Sequence, residues 1–278
     1  APPPRRGPLG LEFGRRTFVM GIINMAPDSF AGDGLDGDAG AAEARGQEMR
    51  EGGADLLDVG GRSTRPGAPP VDVAEEIRRT IPAIRRLVGI GIPVSVDTFS
   101  ARVAGAALDA GVALVNDVSA LRGDPEMARL VARAGVHVVL MDWDQRAETA
   151  DVVSTTLAFL RERIGAAAEA GIAETQMLVD PGYGFGLTVP QNMEILRRLR
   201  DLTVLGRPIL IGTSRKGSIG KVLNLPVHER VEGTAATVAV AIMNGADIVR
   251  AHDVQAMVRV ARMTDAIVRG TPPAAGGA

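Results

Sequence analysis

Short hydrophobic runs recur along the chain, and most of them end in a polar residue or a glycine. The segments between them carry apolar residues at the spacing of an amphipathic helix, and glycine closes most of these segments. The runs predict strands at residues 17–24, 54–61, 92–97, 114–117, 137–142, 177–180, 208–214 and 247–252. The other segments predict helices at residues 41–53, 73–88, 100–110, 125–134, 152–170, 190–205, 227–244 and 254–268.

This alternation of strand and helix indicates the fold class. Several of the strands are continuously apolar, as expected when helices cover one face and a packed interior covers the other. Eight strand–helix units predict a single-domain α/β fold, a (β/α)8 TIM barrel, over residues 17–270. A doubly wound open sheet is the alternative, because alternation alone does not show closure. Residues 1–16 are interpreted as an N-terminal extension and residues 271–278 as a disordered tail.

Composition excludes several classes of protein and site. The chain of 278 residues contains no cysteine, which excludes disulfides, thiolate catalysis and cysteine metal sites. Its net charge of −2 offers no basic excess for nucleic-acid phosphates. No hydrophobic run reaches the ~18 residues of a membrane span, and the first residues lack the apolar segment of a signal peptide. We therefore expect a cytoplasmic enzyme.

Polar residues stand at the carboxyl end of nearly every predicted strand. In a barrel these ends meet at one rim, where active sites lie. The residues concerned are Asn24, residues 60–66, Asp97, Asn116, Asp117, Asp142, Asp180, residues 214–216, Arg250 and His252. Any one of them could cap a helix, but a scaffold does not need one after almost every strand, because burying an unpaired polar group is unfavourable. The pattern therefore favours a binding site at this rim.

Residues 178–186 join a buried strand, a carboxylate and a loop containing glycines and aromatic rings. Alone, this stretch is more typical of an Asp-Pro-Gly turn. Placed at the rim with the other strand ends, it fits recognition of a flat heterocycle, because an ionised carboxylate can accept two hydrogen bonds from an N–C–NH2 edge. The residues suited to that edge are Asp97, Asn116, Asp180 and Lys216.

A second group of rim residues is suited to an anion, since an arginine fork matches phosphate oxygens. Its members are Arg250, His252, Asn24, Ser63 and Thr64. Each residue also has a simpler interpretation by itself. Lys216 could be a solvated surface charge, Arg250 a salt-bridge partner, and His252 a structural hydrogen bond to its neighbour Asp253.

The motifs of the chain resemble those of the dihydropteroate synthase family, within the superfamily of pterin-binding barrels. The matching segments are residues 20–30 (MGIINMAPDSF), 58–67 (DVGGRSTRPG), 95–98 (SVDT), 116–117 (ND), 180–186 (DPGYGFG), 214–216 (SRK) and 250–253 (RAHD). They follow one another in the family's order. The resemblance spans about residues 18–270, so it is far more specific than any single motif.

The resemblance implies that 6-hydroxymethyl-7,8-dihydropterin diphosphate condenses with p-aminobenzoate to give 7,8-dihydropteroate and pyrophosphate, a step of folate biosynthesis. It implies catalytic roles for Asp97, Lys216, Arg250 and Asp180. The implied pterin-binding residues are Asp97, Asn116, Met141, Asp180, Lys216 and Arg250. The implied pyrophosphate-binding residues are Asn24, Ser63, Thr64, Arg250 and His252. The implied p-aminobenzoate-binding residues are Phe30, Arg65, Pro66, Phe185, Lys216 and Gly217, and Mg²⁺ is the implied cofactor, held by Asn24 and phosphate oxygens.

Several positions depart from the family pattern, most of them around the second substrate. Arg62 stands where the family usually has Glu, and Gly32 stands where it commonly has Asp, with Asp33 one place later. The other departures are Met141-Asp142-Trp143 in place of a Met-His-Met type run, Leu187 in place of Lys, and Gly217 in place of Ser, with Ser218 next. They predict altered acceptor use or altered sulfonamide affinity, whereas the pterin and pyrophosphate residues are retained.

Two other functions remain open at this level. The chain could be a paralogue that binds pterin with weak or no synthase activity, or a methyltetrahydrofolate:corrinoid methyltransferase, which needs no pyrophosphate site. The resemblance also implies small-molecule substrates, sulfonamide inhibitors and a homodimer paired through the last helices. The apolar stretch at residues 235–243 is compatible with such pairing.

Overall fold

The structure is a computed structural model that describes residues 5–6, 8–27, 31–62, 70–143 and 149–270. The strands within these residues are β1 Arg5–Arg6, β2 Glu12–Phe13, β3 Phe18–Asn24, β4 Leu56–Gly60, β5 Val94–Asp97, β6 Leu114–Asp117, β7 His137–Met141, β8 Met177–Asp180, β9 Leu210–Ile211 and β10 Ile248–Ala251. The helices are α1 Ala39–Glu51, α2 Val73–Leu87, α3 Ala101–Asp109, α4 Met127–Ala134, α5 Val152–Glu169, α6 Val189–Arg197, α7 Gly217–Leu223, α8 Val231–Met243 and α9 Val254–Arg269.

Strands β3 to β10 form one parallel sheet in the order β8-β7-β6-β5-β4-β3-β10-β9. The two end strands meet through a bridge between Val179 and Ile209, and the amide of Val179 donates to the carbonyl of Pro208 at 3.0 Å. The sheet therefore closes, which confirms the predicted TIM barrel. We call the β8–β9 junction the seam, because in the described part of the chain one bridge replaces the ladders seen between the other neighbouring strands.

Two hydrophobic clusters hold the barrel together. The larger one lies between the sheet and the helices and includes Leu57, Val96, Val115, Val179 and Val249. The smaller one fills the amino-terminal half of the barrel interior, with Met20, Leu56, Leu114, Val139, Phe18, Leu178, Leu210 and Ile248. Successive strand residues face opposite sides of a sheet, so the residue two places after each interior residue also points inward. That second inward layer carries the polar residues Asp58, Asn116, Asp180 and Arg250.

The N-terminal segment covers the amino-terminal opening of the barrel. Strands β1 and β2 pair antiparallel, and the Phe13 ring, 1% exposed, meets the Phe18 ring edge-on at 5.3 Å. The amide of Leu9 donates to Nε2 of His137 at 2.8 Å, at the start of β7. The part of the predicted extension that the structure describes is therefore packed against the barrel. The predicted tail at residues 271–278 lies outside the described residues.

Most predicted elements agree with the structure within two residues at each end, and four regions differ. The helix predicted at residues 227–244 begins only at Val231, after a separate 3-10 helix over Val227–Glu229. The seventh strand was predicted at residues 208–214, but only Leu210–Ile211 forms a ladder, because β9 pairs fully with β10 alone. The helix predicted at residues 190–205 ends at Arg197 and continues as a 3-10 helix over Leu199–Leu205. Helix α7 was not predicted, since its two glycines give it low helix propensity. No helix among the described residues is long and apolar enough to cross a membrane.

Candidate active site

The second inward layer of the barrel collects most of the predicted site residues. Asn116 lies two places after Leu114, Asp180 two places after Leu178, and Arg250 two places after Ile248, so each shares its neighbour's inward face. Asp97 pairs in register with Asn116, and Met141 pairs in register with Asp180, so both lie beside residues of this layer. Five strands thus deliver polar or polarisable side chains to one chamber.

Arg250 lies at the centre of this layer. Its Nε donates to Oδ2 of Asp58 at 2.6 Å, and its Nη2 donates to Oδ2 of Asp97 at 3.1 Å. Asp58 is completely buried and also accepts from Nδ2 of Asn116 at 2.9 Å. Arg250 therefore does form salt bridges, as its simpler interpretation predicted. These bridges hold the guanidinium inside the chamber, where a ligand can still contact it.

Burial and charge together determine the protonation of the carboxylates. Burial raises the pKa of Asp97 to about 7, and the negative charge of Asp58 adds to the shift while Arg250 opposes it. The Oδ1 atom of Asp58 is buried without a hydrogen-bond partner among the described residues. The chamber therefore holds closely spaced acceptors beside one arginine, an arrangement that favours a ligand bringing several N–H donors.

Asp180 ends β8 and Lys216 follows β9, so the two residues lie on opposite sides of the seam. Asp180 is 7% exposed, and its Oδ1 accepts from the amide of Gly182 at 2.8 Å. The Nζ of Lys216 donates to the carbonyl of Tyr183. Burial raises the pKa of Asp180 and lowers that of Lys216, while the attraction between the two groups opposes both shifts. Lys216 is thus part of the site and not a solvated surface charge.

A second cluster gathers the residues predicted for an anion. Nδ2 of Asn24 donates to Oδ1 of Asp33 at 2.9 Å, and Nε2 of His252 lies 3.8 Å from Oδ2 of the same carboxylate. The ring Nδ1 of His252 contacts Oγ of Ser214 at 2.9 Å. Burial lowers the pKa of His252 to about 4, although the charge of Asp33 opposes the shift.

The structural alternative proposed for His252 is wrong in its partner. Asp253 accepts two hydrogen bonds from Arg215, at 2.9 and 2.5 Å. His252 is hydrogen-bonded to Ser214 instead. The imidazole therefore points towards Asn24 and Asp33. Among the described residues no group of three or more His, Asp and Glu side chains is arranged to hold a metal ion. Asn24 and Asp33 nevertheless place an amide and a carboxylate side by side, which are oxygen donors that Mg²⁺ accepts together with substrate phosphates.

Aromatic rings line the rim beside Lys216. Nζ of Lys216 lies 4.1 Å from the centroid of the Phe185 ring, and Trp143 meets Phe185 edge-on with 6.3 Å between centroids. Phe99 follows at 6.0 Å from Trp143, and the guanidinium of Arg62 lies 4.3 Å above Phe99. Predicted Phe185 therefore belongs to a longer aromatic row, while predicted Gly217 is the exposed first residue of α7.

The positive charge at position 62 has a buried partner. Nε of Arg62 lies 3.7 Å from Oε2 of Glu76, a carboxylate on α2 that is 1% exposed and accepts from Oγ1 of Thr98 at 2.7 Å. Burial raises the pKa of Glu76, and Arg62 opposes that shift. The departure from the family pattern at this position is therefore balanced within the chain. Predicted residues Phe30, Ser63, Thr64, Arg65 and Pro66 lie outside the described residues.

Comparison with known proteins shows the family to which the chain belongs. The sequence matches the family model described as "Pterin binding enzyme" over residues 20–252. The chain is similar to the dihydropteroate synthase of Clostridium beijerinckii, with 44% identity over 95% of this chain and 98% of that protein. The chain belongs to the pterin-binding enzyme family.

Solved structures of family members have the same fold. A crystal structure of the Clostridium difficile dihydropteroate synthase in the presence of pteroic acid has a TM-score of 0.88 at 44% identity, covering 93% of this chain and 99% of that one. The Xanthomonas albilineans dihydropteroate synthase with 4-aminobenzoic acid has a TM-score of 0.87 at 44% identity, covering 95% of this chain and 96% of that one.

Two residues of this chamber were missed by sequence reasoning. Asp58 stands inside β4 rather than at its end, so a search of strand ends passes over it, although its place two residues after Leu56 marks it as inward. Asp33 was noted only as displaced by one residue from the family position. The structure places it between Asn24 and His252, contacts that nothing in the local sequence announces.

Proposed function

We propose that the polar inward layer of the barrel is the catalytic chamber of this dihydropteroate synthase. The synthase activity predicted from the sequence is confirmed by the family match and by the named relatives. The observation that carries the assignment to this chamber is Arg250, held between Asp58 and Asp97 beside Asn116, within a ring of strand ends. The residue roles below are proposals built on that geometry.

The pterin edge is held by Asp180, Asn116 and Lys216, with Met141 beneath the ring. Burial desolvates Asp180, which makes its ionised form unfavourable and raises its pKa. A pterin N–C–NH2 edge brings two donors to that carboxylate, so binding replaces the hydration that folding removed. The charge of Asp180 acts on Lys216, whose amine offers a donor to a ring acceptor.

The diphosphate is held by Asn24, His252 and Arg250, with Ser63 and Thr64 as further contacts. Arg250 donates to Asp58 through Nε and to Asp97 through Nη2, and its Nη1 takes no part in these two hydrogen bonds. The hydrogen bonds to Asp58 and Asp97 fix the orientation of the guanidinium plane, so that its face can stack on a pterin ring. When bound at Asn24, Mg²⁺ would supply positive charge to the phosphate oxygens of the leaving group.

The reaction needs no covalent intermediate with the protein. The C–O bond to the pyrophosphate breaks with both electrons leaving on oxygen, and Arg250 and His252 stabilise the departing charge. Asp97 faces the chamber and stabilises the resulting pterin cation electrostatically. The amine of p-aminobenzoate then forms the C–N bond and loses a proton. Phe185, Lys216 and Gly217 would hold this acceptor together with Phe30, Arg65 and Pro66.

Assembly, inhibition and location are further proposals. Apolar side chains are exposed on the last helices, with Met243 at 51%, Met263 at 63% and Ile267 at 71%, which supports a homodimer formed through α8 and α9. Sedimentation at several concentrations tests this, and Ile267→Glu should shift the protein to monomer. Sulfonamide inhibition and cytoplasmic location stay predictions.

The activity test is pyrophosphate release that requires both the dihydropterin diphosphate and p-aminobenzoate. Asp180→Asn should raise the KM for the pterin substrate strongly, because the amide turns a donor towards ligand donors. Asp247→Asn is the matched control, since Asp247 is equally buried but bonds the amide of Ile209 at the opposite end of the barrel. Heat stabilisation by the pterin diphosphate without any turnover would instead identify a binding-only paralogue.

Arg250→Ala tests the proposed leaving-group contact. Loss of the guanidinium should raise the KM for the diphosphate substrate and lower kcat, because no other described cation lies between Asp58 and Asp97. Unchanged values of both KM and kcat would refute the role.

A further inference from the structure

A pair of buried hydroxyl groups joins the loop after β8 to the start of α7. The phenol of Tyr183 and Oγ of Ser218 are 2.7 Å apart, and the two residues are 0% and 7% exposed. The contact links positions separated by 35 residues in the sequence. It crosses the seam, where the strands themselves share a single bridge among the described residues.

Lys216 is attached at the same place. It immediately precedes α7, and its Nζ donates to the backbone carbonyl of Tyr183. Its side chain lies against Gly184, where a Cβ would collide with the lysine Cδ, and against the ring of Phe185. The segment 216–218 and the loop 182–185 are therefore joined twice, once through a charged amine and once through the hydroxyl pair.

The loop that receives these contacts is itself fixed. Gly182 and Gly184 have φ angles of +72° and +84°, a region that favours glycine. The amide of Gly184 donates to Oδ1 of Asn192 on α6 at 2.6 Å, and the amide of Gly182 donates to Asp180. Tyr183 is thus a rigid anchor, and the position of α7 relative to it determines where the Lys216 amine stands.

We propose that Tyr183 and Ser218 are positioning residues that hold the Lys216 ammonium beside Asp180 at the pterin edge. The inference rests on the pterin-binding role proposed above for Lys216. Neither hydroxyl needs to contact a substrate, since each is buried in contact with the other. The pair acts by fixing the first turn of α7 against the loop from which Lys216 takes its hydrogen bond.

The same contact answers a question raised by the sequence. The family's serine after the Ser-Arg-Lys motif is Gly217 here, and the next residue, Ser218, could have replaced it. Ser218 is instead turned inward onto Tyr183, so it offers its hydroxyl to the protein and not to the acceptor. The serine and the tyrosine therefore form one unit.

The test begins with Ser218→Ala and Tyr183→Phe. Each should raise the KM for the pterin diphosphate about five- to tenfold, the effect of one lost buried hydrogen bond, with a smaller change in the KM for p-aminobenzoate. Ser218→Thr keeps a hydroxyl and should recover most of the loss. Thr155→Ala removes a hydroxyl contact of the same kind on α5, where Thr155 meets Thr149 at 3.0 Å, and should leave both KM values unchanged.

A second measurement separates positioning from general stability. Calorimetric affinity for the pterin diphosphate is measured for Ser218→Ala in the wild-type chain and in a Lys216→Ala background. If the pair acts through Lys216, the affinity loss disappears in that background. An equal loss in both backgrounds, or unchanged pterin KM in Ser218→Ala and Tyr183→Phe, would overturn the inference. Absence of pyrophosphate release by the wild-type enzyme would instead count against the proposed function.

Discussion

Asp58→Asn is the most informative single substitution in the chamber, because it keeps the shape of the side chain and removes its charge. The carboxylate accepts from Nε of Arg250 at 2.6 Å and from Nδ2 of Asn116 at 2.9 Å. Both contacts use Oδ2, whereas an asparagine presents one oxygen and one N–H2 group. The amide can satisfy these donors only if its N–H2 group takes the place of Oδ1, and the counter-charge for Arg250 is lost in either orientation.

The size of the effect follows from the partners that remain. Breaking a fully buried ion pair by removing one member costs about 3–5 kcal/mol. Arg250 keeps Asp97 at 3.1 Å, so the loss of folding stability should lie at the lower end of that range, and misplacement of the guanidinium should lower kcat/KM about a hundredfold. Asp117→Asn is the control, because Asp117 is equally buried and, within the described part of the chain, its carboxylate bonds to its own loop, to Ser119 and to the amide of Leu121.

A pH profile provides a second and independent readout. Burial and the charge of Asp58 raise the pKa of Asp97 to about 7, so in the wild type its ionised form is lost as pH falls through that value. Removing the charge of Asp58 lowers this pKa, and the acidic limb of kcat/KM should move to lower pH. A decrease in rate without a shift of the limb, or a shift without a decrease, would refute the reasoning about one coupled Asp58–Arg250–Asp97 unit.

Three further predictions address other parts of the molecule. Burial lowers the pKa of His252 to about 4, and the negative charge of bound pyrophosphate should raise it so that the imidazole takes up a proton at neutral pH. Calorimetry in buffers of different ionisation enthalpy should show this proton uptake in the wild type and not in His252→Gln. Equal uptake in both proteins would contradict the prediction. Trp143→Ala removes the edge-on support of Phe185 and should raise the KM for p-aminobenzoate about threefold to tenfold, whereas a parallel rise in the pterin KM would argue against an acceptor-side role. Burial lowers the pKa of His137 in the folded state, so the folded protein loses stability as pH falls below the ordinary histidine pKa and the unfolded chain takes up a proton. In urea unfolding, His137→Gln should lose less stability on acidification than the wild type does. An equal loss in both proteins would show that His137 is not the cause.

The sequence predicted the barrel and the rim because both depend on local patterns. Apolar runs followed by helical spacing give the strand count, and a polar residue after each run marks the rim, as at Asp180 and Asn116. Asp58 escaped because the pattern of strand ends hides an inward residue in mid-strand. The partners of Arg62, Ser218 and His252 escaped for another reason, since Glu76, Tyr183 and Asp33 come from distant segments that only the folded chain brings together.

The seam between β8 and β9 has a consequence for the cooperativity of the whole barrel. Asp180 ends the strand on one side, and Lys216 follows the strand on the other, so a ligand that contacts both spans the least hydrogen-bonded junction described in the sheet. Occupancy of the chamber is then linked to the exchange of backbone amides with solvent. Amides at residues 209–211 should gain hydrogen-exchange protection on substrate binding, and the first six barrel strands should unfold together with the last two. In this enzyme substrate binding should therefore stabilise the junction at which the barrel closes.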